Sequence, residues 1–124
     1  MQKKILVIDD DIQFRTMLVE MLERKQYTVF AAADGEEGIN IWQNLNPDLV
    51  ITDIIMPNKE GIETILELKR KNKEVKIIAI SGGGRTNAQD NLRSAKLLGA
   101  SLTLSKPFES NELIEAVQKL LGQT

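Results

Sequence analysis

The chain has 124 residues, 16 of them basic and 18 acidic, with 42% hydrophobic and 27% charged residues and a net charge of -2. That is the length of one domain with its own core, and so balanced a charge offers no bulk field to nucleic acid or to a membrane surface. Neither Cys nor His is present, which excludes disulfides, thiolate chemistry, the usual structural zinc sites and His-activated nucleophiles.

Residues 4–9 (KILVID) form a short apolar run, the pattern of a strand covered on both faces. Ile12, Phe14, Met17, Leu18, Met21 and Leu22 then recur at mostly three- and four-residue spacing, which predicts a helix over 12–25. Asp10 or Asp11 is placed to cap it. Thr28–Ala32 (TVFAA) reads as a second strand, followed by Asp34-Gly35 and a helix carrying Ile39, Trp42 and Leu45, with Trp42 a packing residue. Asn46-Pro47 ends that helix, because the residue before Pro is pushed out of the helical region.

Leu49–Thr52 (LVIT) is a third buried strand, stopping at Asp53. A loop with Met56-Pro57 leads through Gly61 into a helix with Ile62, Ile65 and Leu66 inward. Val75–Ile80 (VKIIAI) is a fourth strand, broken by Ser81-Gly82-Gly83-Gly84. A helix is expected over 87–98, on Ala88, Leu92, Ala95 and Leu98. Leu102–Leu104 makes a fifth strand, Lys106-Pro107 a turn, and 110–121 a last helix on Leu113, Ile114, Val117 and Leu120. Strands alternating with helices across short loops predict a parallel α/β sandwich.

Sites in open parallel sheets form at the carboxyl ends of the strands. There the sequence places Asp9-Asp10, Asp53, Ser81 and Lys106, while the second strand ends in Ala32-Ala33. Clustered carboxylates repel one another unless a cation sits among them, and hard oxygen ligands suit Mg²⁺. A carboxylate so supported is a nucleophile toward phosphorus, and an ammonium and a hydroxyl offset charge on phosphoryl oxygens. Each residue has a plainer reading: Asp11 as a helix cap, Lys106 as a solvated surface residue, the Gly triplet as a loop. The triplet lacks the Gly-Lys-Ser/Thr ending of a nucleotide-binding P-loop. Four compatible groups on separate strands outweigh these readings taken singly.

KILVIDDD at 4–11, LVITDIIMP at 49–57 with Gly61, IIAISG at 77–82 and LSKPF at 104–108 together resemble the receiver domain of bacterial two-component response regulators. With the final helix, the resemblance covers essentially the whole chain. It implies a flavodoxin-like (βα)5 three-layer sandwich with strand order 2-1-3-4-5, forming one receiver domain over 1–124 with no output domain. It implies that Asp53 accepts a phosphoryl group from a phosphohistidine on a sensor histidine kinase or phosphotransfer protein. Asp10 and Asp53 would ligate Mg²⁺ with the carbonyl of Ile55, and Asp9 would act through metal-bound water. Ser81 and the amide of Gly82 would hold the phosphoryl oxygens, and Lys106 would pair with them. A cis Lys106-Pro107 bond is also implied.

Two positions qualify the resemblance. Many receivers carry an aromatic residue three before the Lys, where this chain has Thr103, whose small polar side chain cannot fill and empty a pocket as a ring does, so the 82–84 loop is expected to carry more of the change. Ile55 and Gly83 stand where relatives tune hydrolysis; neither offers a polar group to orient water, so slow self-dephosphorylation is expected. The expected setting is a cytoplasmic module, monomeric or dimerising on phosphorylation, that switches a downstream protein and binds neither nucleic acid nor membrane. Competing readings are an adaptor that never turns over phosphate and a flavin-binding protein. The carboxylates after strand one would repel a flavin phosphate.

Overall fold

The computed structural model describes residues 2–54, 61–81, 96 and 99–122. Five strands form one parallel sheet: β1 (Lys4–Ile8), β2 (Thr28–Ala32), β3 (Leu49–Asp53), β4 (Ile77–Ser81) and β5 (Leu102–Ser105). Their order is β2-β1-β3-β4-β5, the flavodoxin-like arrangement expected. The described helices are α1 (Ile12–Arg24), α2 (Gly35–Leu45), α3 (Gly61–Lys71) and α4 (Ser110–Leu121). The helix expected over 87–98 lies almost wholly outside the described residues, as do the Met56-Pro57 loop and the Gly82–Gly84 triplet.

Alternation along β1 sorts the core into two layers. Leu6 and Ile8 join Ile39 and Trp42 of α2 and Ile65 and Leu68 of α3 on one face. Ile5 and Val7 join Leu18 and Leu22 of α1 and Leu113, Ile114 and Val117 of α4 on the other. Trp42 is thus a core residue, as its sequence context suggests.

The helix ends follow local chemistry. Asp11, not Asp10, caps α1: its Oδ1 accepts from the amides of Gln13 (3.0 Å) and Phe14 (3.2 Å). Asp34 caps α2 by accepting from the Glu37 amide at 2.9 Å, and Asn46 closes it in the left-handed region at φ 51°.

Several details differ from the sequence reading. β1 stops at Ile8 and β4 starts at Ile77 but runs on to Ser81. On α1 the buried stripe is Leu18 and Leu22, whereas Ile12, the first residue of the helix, is 65% exposed. On α3 Leu66 is 39% exposed, and Thr64 and Leu68 take the inward positions with Ile65.

The register carries the fold to its site. Ile8 lies beside both Ala32 and Thr52, Asp53 beside Ile80, and Ser81 beside Ser105. At these pairs or one step beyond them, Asp9, Asp53, Ser81 and Lys106 fall along a single edge.

Candidate acidic phosphoryl site

Asp9 is fastened at three points. Its amide donates to the Ala32 carbonyl at 3.1 Å, its Oδ1 accepts from the Asp11 amide at 2.9 Å, and its carbonyl accepts from Arg15 Nη1 at 2.7 Å. With only 1% of its surface exposed, its carboxyl is pushed up to about 6. Burial is the main cause, with the Asp53 and Asp10 charges adding to it; the Asp11 amide and Lys106 pull the other way.

Asp53 closes β3 and is also buried, and Asp10 stands exposed at the mouth. Oxygens of Asp9, Asp10 and Asp53 lie within 4.8 Å of one another. Lys106 reaches in from the end of β5: its Nζ donates to Asp53 Oδ2 at 3.2 Å and lies 3.7 Å from Asp9 Oδ2. Its own amide donates to the Ser81 carbonyl at 2.8 Å, tying the two strand ends together. The Lys106-Pro107 bond is cis, as the resemblance implied.

Ser81 is fully buried, and its Oγ finds no hydrogen-bond partner among the described residues. An orphaned buried hydroxyl is costly, so this position is poised for a group from outside the described structure. Among the described residues, one ammonium beside three carboxylates leaves the cluster short of positive charge. Hard oxygen donors at this spacing fit a Mg²⁺ ion.

The fold thus gathers Asp9, Asp10, Asp53, Ser81 and Lys106 as the sequence predicts. Ile55 and Gly82, assigned backbone roles, lie outside the described residues, as does Gly83. Sequence reasoning missed Arg15, which anchors the Asp9 carbonyl, and gave Phe14 only a core role. Phe14 presents its ring to Lys106 Nζ at 3.9 Å from the centroid. Its apolar helical spacing carries no mark of that contact.

Gly61 sets the third side. Its amide donates to the Ile54 carbonyl at 2.7 Å, and a Cβ there would overlap the Asp53 carbonyl oxygen and the Ile54 backbone. Only a residue without a side chain lets α3 start against the end of β3. Among the described residues no helix is long and apolar enough to cross a membrane.

Comparison with known proteins agrees with this geometry. Residues 5–118 match the response regulator receiver domain family. The chain is 33% identical over 121 residues to sporulation initiation phosphotransferase F of Bacillus subtilis, covering 98% of this chain and 95% of that protein. It is 31% identical to the chemotaxis protein CheY of Halobacterium salinarum, covering 98% of each. It also matches a probable transcriptional regulator, ycf27 of Cyanophora paradoxa, at 38% identity, spanning 50% of that protein. Among solved structures, a response regulator receiver domain protein from Clostridium thermocellum superposes with a TM-score of 0.90 at 30% identity, over 97% of this chain and 94% of the other.

Proposed function

Because the chain belongs to the response regulator receiver domain family, we propose that it is a phosphorylation-controlled switch in which Asp53 accepts the phosphoryl group. The donor is a phosphohistidine on a sensor histidine kinase or phosphotransfer protein. An Asp53 oxygen forms the new bond to phosphorus as the phosphorus–nitrogen bond breaks, and the imidazole leaves with a proton from solvent. Lys106, already beside Asp53, stays to pair with the incoming phosphoryl oxygens. The Ser81 hydroxyl donates to another, aided by the Gly82 amide.

Asp9, Asp10 and Asp53, with the Ile55 carbonyl, would hold Mg²⁺, whose charge offsets that of the phosphoryl oxygens. Asp9 contributes as an anion fixed in place before the donor arrives, which lowers the reorganisation needed during transfer.

The observation that carries this reading is the Ser81 hydroxyl, buried and without a partner among the described residues at the same edge as the carboxylates and the ammonium. The output is a population shift read by a downstream protein in the cytoplasm, with residues 1–124 acting as one receiver domain. Transfer from a labelled phosphohistidine protein tests it: label should pass to the native chain and not to Asp53→Asn.

A further inference from the structure

The Lys106 ammonium has a third contact that the phosphoryl-transfer reading does not use. Besides Asp53 and Asp9, it faces the Phe14 ring, 3.9 Å from the centroid. That is well inside the range of roughly 6 Å over which a cation is drawn to an aromatic face. The ring is itself held. The Phe108 ring meets it edge-on, with centroids 5.9 Å apart and planes at 83°. The Phe14 amide donates to the Asp11 cap at 3.2 Å, so the residue sits in the capped first turn of α1.

We propose that Phe14 is a positioning residue for the phosphoryl-accepting centre: its ring face holds the Lys106 ammonium beside Asp53 and keeps water from that side of it. The inference rests on the reading that Asp53 accepts a phosphoryl group. Lysine has a long flexible stem and a strongly hydrated head, so left alone it samples many rotamers. A third carboxylate would fix the ammonium but would also compete with phosphoryl oxygens for its protons. An aliphatic side chain would exclude water without attracting the charge. An aromatic face does both, and accepts no strong hydrogen bond, so the three ammonium protons stay available to Asp53 and the incoming group. The Lys106 side chain retains 22% exposure, so the ring narrows its freedom without sealing it off.

The test compares Phe14→Tyr, which keeps the ring, with Phe14→Leu, and with Phe14→Met should the Leu variant fail to fold. Each is phosphorylated with a small-molecule phosphodonor and Mg²⁺, and Lys106 is followed by NMR. Native protein and Phe14→Tyr should show Lys106 protons shifted upfield by the ring and react within about twofold of each other. Phe14→Leu or Phe14→Met should lose the ring shift and react about 3–10-fold more slowly. Equal rates for the Leu or Met variant and native protein would overturn the proposal, as would a Tyr variant as slow as they are, which would assign the effect to packing. Failure of the native chain to take up phosphate at all would overturn instead the reading on which it rests.

Discussion

Lys106 Nζ lies 3.2 Å from Asp53 Oδ2 although their strands are not neighbours. β4 stands between β3 and β5, and ends in the small buried Ser81, over which the lysine reaches. This ion pair is the electrostatic hinge of the site: among the described residues, the one ammonium beside the buried carboxylates faces the group assigned to accept phosphate. Replacing it by Met leaves Asp9 and Asp53 less compensated. Lys106→Met should therefore bind Mg²⁺ roughly 3–10-fold more tightly while accepting phosphate more slowly. Calorimetric titration checks the first part, and an unchanged or weaker Mg²⁺ affinity would contradict it.

Asp9 gives a pH signature. Its carboxyl sits at about 6 against an ordinary 3.8, so the fold binds that proton more tightly than the unfolded chain does. The penalty is absent below about pH 4, where both states are protonated, grows as pH rises toward 6, and is complete above it. The shift corresponds to about 3 kcal/mol at most, and loss of the partner for Lys106 offsets part of it. In Mg²⁺-free buffer Asp9→Asn should thus be more stable than native by about 1–2 kcal/mol at pH 7.5. The gain should fade toward pH 4. Urea melts across that range measure it, and a gain independent of pH would show that the burial argument fails.

Ser81 separates stability from chemistry. Its Oγ is buried without a partner among the described residues, so Ser81→Ala removes a desolvated group rather than a bond to any of them. Stability should be unchanged or raised by up to about 1 kcal/mol. Phosphoryl uptake should slow by about tenfold or more, the scale of one hydrogen bond to a charged group. A marked loss of stability would place the hydroxyl in a structural role.

Gly61 makes the opposite trade. An added Cβ meets the backbone at Asp53 and Ile54 rather than a side chain that could swing aside. Gly61→Ala should cost about 2–4 kcal/mol by overpacking and slow phosphoryl uptake by displacing Asp53. Denaturant unfolding tests this, and a near-neutral substitution would mean that α3 can start elsewhere.

These cases show what the sequence made legible. The strands read clearly because KILVI, LVITD and IIAIS are buried along almost their whole length, which leaves near-continuous apolar runs in the sequence. The site followed from asking what each strand's carboxyl end carries. Helix faces were harder. Ile12 counts toward the apolar period of α1 yet is exposed, and a buried Thr64 carries no apolar mark. The contacts of Lys106 with Phe14 and of Arg15 with Asp9 were not legible. They depend on how α1 lies against the strand ends, which periodicity does not encode.

The central claim is that Asp53 takes the phosphoryl group. Native protein and Asp53→Asn, each incubated with Mg²⁺ and a small-molecule phosphodonor, are compared by intact mass and then by fragment mapping. The account predicts one phosphoryl adduct on the native chain, mapped to Asp53, and none on the variant. An unmodified native chain, or the same adduct on Asp53→Asn, would contradict it.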